Sequence, residues 1–133
     1  MDFLSALKIS ASGMSAERTR VTVATSNLAN AESTRGPDGK PYQRLDPVLE
    51  TKSFEDSLSG VNVAEIKKDE TPGRRVYSPG HPDADANGFV TFPNVNPIHE
   101  VVNLMSASKG YEANATAVET LKAMAAKALD IIR

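Results

Sequence analysis

Two long helical patterns enclose a middle segment too small to cover them, and that mismatch limits what this 133-residue chain can fold into. Over 3–31, Leu4, Leu7, Ala11, Met14, Val21 and Leu28 follow steps of three and four, the period of one helix face. Arg18 and Thr25 interrupt that stripe, so it is thin and partly polar. From Pro97 onward Val101, Leu104, Tyr111, Ala115, Val118, Leu121, Ala125, Leu129 and Ile132 fall largely on one side, with Lys122 and Gly110 breaking the run. At about 1.5 Å per residue the first pattern makes a rod of roughly 40 Å and the second one of roughly 50 Å. Seven of the sixteen residues 113–128 are alanine, which favours helix yet offers little side chain to bury. Pairing the two helices buries one stripe on each and leaves the rest bare. Since helices draw most of their stability from packing, the terminal segments read as parts of an assembly.

The middle of the chain changes character. "RGPDGKPYQRLDP" is dense in Gly and Pro, and 35–60 reads as loop. Over 61–97 the pattern is extended: "VNVAEI" alternates, "RRVYSP" is short and β-leaning, and "GFVTFPNV" places Phe89 and Phe92 between turn residues. The expected fold class is mainly α, with long N- and C-terminal helices paired as a coiled-coil-like hairpin and a small irregular or β middle segment of two to four strands. The expected segments are 1–34 for N-terminal assembly, 35–97 for the middle and 98–133 for C-terminal assembly.

Fifteen Lys and Arg stand against 17 Asp and Glu, a net charge of −2, and the doublets Lys67-Lys68 and Arg74-Arg75 are too short for a phosphate-binding surface. Nucleic acid is therefore not expected as a partner. With no cysteine, disulfides, thiolate zinc sites and thiol catalysis are excluded. No apolar run approaches the roughly 20 residues of a membrane span, so direct membrane insertion is not expected. "MDFLSALKISASGMSA" lacks a basic start and a continuous apolar stretch, which argues against a cleaved secretory signal.

Asp83-Ala84-Asp85-Ala86-Asn87-Gly88 imitates the opening of a calcium loop, but position 12 falls on Asn94 where a bidentate glutamate is needed. A turn tied by Asp and Asn side chains is the expectation. His81 and His99 are the only histidines and lack metal spacing; His81 is expected to set its loop. No cofactor, metal or catalytic residue is expected, although a hydrolase using His81 with Asp83 or Asp85 is a remote third reading.

"TSNLANAEST" (25–34) closes the first helix on little bulk and two side-chain amides. Asparagine and serine compete with helical hydrogen bonds and so favour helix ends. The stretch is open to two readings: plain fraying before the Gly-Pro loop, or Asn27 and Asn30 meeting the backbone of a neighbouring chain while Ala29 and Ala31 permit close approach.

Ser12-Gly13-Met14-Ser15-Ala16-Glu17-Arg18, followed by Ser26-Asn27-Leu28-Ala29-Asn30-Ala31, resembles the N-terminal signature of bacterial flagellar axial proteins. "GPDGKPYQR", "HPDADANGFVTFPNVN" and "SASKGYEANATAVETLKAM" are similar to the proximal-rod class of that family, over nearly the whole chain. Gln43 and Lys109-Gly110 depart from the usual pattern. The resemblance implies a structural subunit of the flagellar basal-body rod, a drive shaft transmitting torque across the periplasm. It implies export by the flagellar type III apparatus, and contacts with other rod subunits, with basal-body proteins at the membrane-ring junction and with copies of itself.

The expected reading is thus a non-enzymatic, self-assembling subunit. Its expected assembly residues are Leu4, Leu7, Met14, Val21, Asn27, Leu28 and Asn30 on one helix, and Leu104, Tyr111, Val118, Leu121, Leu129 and Ile132 on the other. Phe89, Val90, Phe92, Pro93 and Asn94 are expected to fix the middle segment against the helices. The alternative is a soluble helical adaptor that binds a partner without polymerising.

Overall fold

A computed structural model describes residues 3–55 and 58–132, with the side chains of Glu55 and Ile132 outside that description. Helix α1 runs Phe3–Ala29, strands β1 and β2 Leu45–Glu55 and Leu58–Lys68, strands β3 and β4 Arg75–Tyr77 and Phe89–Thr91, and helix α2 Pro97–Ile132. The fold is therefore mainly helical, with a small β middle segment.

The start of α2 follows from its local sequence. Asn96 Oδ1 accepts the backbone N–H groups of Ile98 and His99, capping two donors that the first turn leaves unpaired. Pro97, in the first helical position, has no N–H to leave orphaned. At the other junction α1 closes where Asn30 Nδ2 donates to Ser26 O and Ser33 Oγ donates to Asn30 Oδ1.

The two helices lie against each other in opposite senses: Asn27 meets Glu100 at one end, and Gly13 faces Asn114 further along. Small residues make this contact. Ser5, Ala16, Val23, Ala24 and Asn27 are the buried positions of α1, and Glu100 and Ala107 are buried on α2. A methyl group at Gly13 would meet the Asn114 amide at 2.9 Å, and one at Gly110 the Glu17 carboxyl at 2.8 Å. Each helix thus offers a notch that takes a polar side chain from the other. Closeness of backbones, more than bulk, defines the seam.

The middle segment forms two antiparallel two-stranded sheets, β1 with β2 and β3 with β4. Strand β1 lies where the sequence reads as loop, a correction to that reading. Pro47 and the turn residues before it obscure the strand. Pro47 is tolerated because it stands opposite Ile66 at a position that needs no ladder N–H. The β1–β2 ribbon rests along α1, with Val61 N–H donating to Ser12 Oγ. The short β3–β4 ribbon carries Val90 fully buried beneath it.

Candidate assembly surface

The site begins with Asn27, whose side chain is 0 % exposed. Its Oδ1 accepts from Leu45 N–H at 2.8 Å and from the Tyr42 hydroxyl at 2.9 Å. Its Nδ2 donates to Leu45 O at 2.8 Å and to Glu100 Oε2 at 3.2 Å. Two donors and two lone pairs are the whole capacity of a side-chain amide, and here all four are used. One asparagine therefore satisfies both backbone groups at the outer edge where β1 begins, and reaches α2 as well.

Glu100, 1 % exposed, is the second member. Its other oxygen accepts from Arg44 Nε at 2.6 Å. Burial disfavours the Arg44 guanidinium's charge, but the hydrogen bond and charge of Glu100, helped by Asp46 and Asp69, raise its pKa above the ordinary value. The Arg44 backbone N–H donates to Asn94 Oδ1, Asn94 Nδ2 donates to Asp69 O, and Asp69 N–H returns to Arg44 O. This hub ties the end of α1, the foot of the β1–β2 ribbon, the approach to β3 and the first turn of α2 at one point. Among the described residues, no buried side-chain nitrogen or oxygen lacks a partner.

For Asn27 this is a correction: its whole amide serves its own chain instead of a neighbour's backbone, whereas half-buried Asn30 bonds Ser26 O and Ser33 Oγ and keeps one N–H and one lone pair beyond those two bonds. Leu28 is half-buried, as are Leu7, Met14 and Val21, and Leu4 is exposed. The stripe expected to pack in the seam stands beside it, because Ala16, Ala24 and Ala107 permit a closer approach than leucine and methionine would. On α2, Leu104, Val118 and Leu121 are half-buried, and Tyr111 and Leu129 are exposed; the Ile132 side chain lies outside the described residues. Val21 and Tyr111, with Arg18, Thr22, Ser108 and Glu112, line an open groove of about 390 Å³ between the helices.

The five middle-segment residues divide. Val90 and Pro93 are buried and Asn94 joins the hub, whereas Phe89 is exposed beneath the Arg75 guanidinium and beside Tyr77. Phe92 is half-buried, flanked by Arg74 and His81. Glu100, Arg44 and Tyr42 were missed from the sequence. The first-turn position of Glu100 gives a weak signal, but nothing local marks its bond to Asn27, 73 residues away.

The loop 81–88 is held by its own side chains. Asp85 Oδ1 accepts from Asn87 N–H and Phe89 N–H, and its other oxygen pairs with Arg75. The Phe89 N–H bond leads in holding the Asp85 carboxyl below its ordinary pKa. Asp83 takes Thr34 and Arg35, and its backbone N–H donates to His81 Nδ1. The two carboxylates of the calcium-like stretch are thus committed to structural ties.

Along the length of α2 the molecule keeps apolar bulk in solvent. Ile98, Val102, Met105, Met124, Leu129 and Ile131 of α2 are exposed, Leu129 by 67 % and Ile131 by 85 %. Beyond Gly110 no described α2 residue is buried. No helix among the described residues is long and apolar enough to cross a membrane.

Comparison with known proteins finds family matches toward both ends of the chain. Residues 7–37 match the flagella basal body rod protein family, and 86–131 match the C-terminal family of flagellar basal body rod FlgEFG proteins. The chain is similar to the flagellar basal-body rod protein FlgC of Salmonella typhimurium, 42% identical over 132 residues that cover 98% of each chain. It is also similar to FlgC of Aquifex aeolicus, 46% identical with 92% of this chain and 91% of the relative covered. FlgC of Borreliella burgdorferi is 36% identical, with 100% and 99% covered.

Proposed function

This chain belongs to the FlgC class of flagellar basal-body rod proteins and is a structural rod subunit; we propose that its exposed helix faces carry its assembly into the shaft. The observation that bears this reading is the exposure of large apolar side chains along α2, from Ile98 to Ile131, while Glu100 and Ala107 are its only buried positions among the described residues. Large apolar side chains left exposed in number on one helix are the raw material of an interaction site.

In this reading α1 and α2 form a coiled-coil-like hairpin, and segments 1–34 and 98–133 are the assembly modules. Leu4, Leu7, Met14, Val21 and Leu28, with Leu104, Tyr111, Val118, Leu121, Leu129 and Ile132, meet helices of neighbouring subunits. The groove at Val21 and Tyr111 takes a side chain from such a neighbour. Segment 35–97 stands further out and makes lateral contacts. The subunit associates with other rod and basal-body components, including copies of itself and proteins at the membrane-ring junction. It is exported by the flagellar type III apparatus and works in the periplasmic part of the rod as a non-enzymatic part. Torque passes through many small packing contacts, each neighbour sharing the shear.

The test replaces Met105 and Leu129 by serine in the full chain and follows rod assembly and motility in cells lacking the native subunit. The expected result is a normally folded subunit that does not enter the rod. Normal assembly and swimming would contradict the role of this face, and a soluble adaptor would become the better account if the protein instead bound one partner without joining a rod.

A further inference from the structure

The outer edge of β2 near Lys68 is bare, and its hydrogen-bonding groups can be assigned from the ladder. Opposed pairs in an antiparallel ladder alternate between bonded and unbonded. Asp69 N–H donates to Arg44 O at 2.8 Å, so that pair is bonded. The next, Leu45 with Lys68, is therefore unbonded, in agreement with Leu45 giving both its backbone groups to Asn27. Asp46 with Lys67 is bonded again, and Pro47 with Ile66 unbonded, in agreement with proline's missing N–H. The N–H and C=O of Ile66 and Lys68 thus point away from β1.

Among the described residues no strand pairs with them on that side. The sheet holds only β1 and β2. Helix α1 reaches the edge at Val61 through Ser12, but residues 64–68 are all exposed, Ile66 by 49 %. Such an edge is a template for another strand, and exposed lysines are a common way to blunt it. Here the lysine does not stand alone. Glu65 and Lys67, two apart, share one face of the strand, and Ile66 lies on the other.

We propose that this edge pairs with the same edge of a second copy of the chain, antiparallel and centred on Ile66. About that centre Ile66 faces Ile66 of the second copy in a bonded pair, as the outward N–H and C=O require. Glu65 then opposes Lys67 of the second copy, and Lys67 opposes its Glu65. Centring on Glu65 or on Lys67 would oppose like charges, which destabilises a cross-strand pair. This palindrome of charge selects a copy of this chain over an unrelated strand. A two-fold contact closes on itself, whereas a filament needs head-to-tail contacts. The pair is accordingly a soluble form of the subunit outside the rod, and it does not rest on the helix faces that carry the proposed assembly.

Sedimentation of the purified full chain over a range of concentrations tests this, with the Glu65→Lys and Lys67→Glu variants run separately and mixed. The expected result is a species that stops at two copies in the wild type. In each single variant the dimer weakens by about tenfold or more, since two attractive cross-strand pairs become repulsive. An equimolar mixture of the two variants restores it, because each then presents the charges the other lacks. Ile66→Pro, which removes an outward N–H that the β1 ladder does not use, is expected to abolish the dimer with the fold intact by circular dichroism. A wild type that remains monomeric at all concentrations overturns the proposal, as does dimer formation indifferent to both single variants. A mixture that stays monomeric while each variant is folded overturns it as well. None of these outcomes bears on rod assembly, which the serine variants of α2 test separately.

Discussion

The two ends of the helix pair are built on opposite principles. At the hub end, where Asn27, Arg44 and Glu100 meet, polar groups are buried and each has its partner. At the far end, beyond Gly110, α2 carries half-buried alanine, valine and leucine and then exposed Leu129 and Ile131. The hub needs nothing from outside the chain, because every bond that its burial demands is already made within it. The far end has unburied apolar surface and so gains from any neighbour that covers it. The difference teaches that self-sufficiency and readiness to assemble can be separated along one pair of helices, with the polar end as anchor.

The sharpest way to break the comparison is Glu100→Ala. It takes one acceptor from the Asn27 amide and one from Arg44, which keeps Asp46 and Asp69, and losing two charge-assisted hydrogen bonds at this point costs about 3 kcal/mol. Urea unfolding would register that as a lower midpoint, and an unchanged midpoint would deny the hub its role. Asn27→Ala follows, with an expected loss of about 2 kcal/mol as the Leu45 N–H and carbonyl lose their partners. Because the two residues share a hydrogen bond, the double variant should be less destabilised than the sum of the singles.

At the other end the expected change in stability is small. Met124→Ser and Ile131→Ser alter exposed side chains, and should leave the unfolding free energy of the dilute chain within about 0.5 kcal/mol. A large loss from either would mean that the far end is packed within the subunit after all. The smallest effect concerns neither end but the loop that serves as a reference. Asp85 is held below its ordinary value of 3.8 first by the Phe89 N–H. Its contribution is therefore fully present above that value and fades as pH falls through the lower folded value. Amide shifts of Asn87 and Phe89 followed by NMR on acidification should move together, below pH 3.8. A transition above that pH would show the turn to be held otherwise.

How much of this was legible in the sequence depended on the range of the forces involved. The helices were legible because their causes are local: the three-and-four spacing over 3–31, and the largely one-sided apolar run from Pro97 onward. The short β3 and β4 were readable from aromatic and β-branched residues between turn formers. Strand β1 was not, since Pro47 argues against a strand unless its unbonded place opposite Ile66 is known. The seam was misplaced for a similar reason. Spacing ranks Leu7, Met14 and Val21 above Ala16 and Ala24, but close approach of two helices rewards the smaller side chains. "TSNLANAEST" drew notice as polar and small at a helix end, yet its meaning lay in Leu45 and Glu100, 18 and 73 residues away from Asn27. No local pattern encodes bonds of that span.

Amide hydrogen exchange on the dilute, purified chain tests the central claim most directly. The account expects the slowest exchange at the hub, in the last turns of α1, at Leu45 and in the early turns of α2, with protection falling along α2 to near none beyond Leu121. Even protection from 97 to 132 would contradict it, as would a far end more protected than the hub, for the subunit would then be finished at both ends and have no unburied helix waiting for a neighbour.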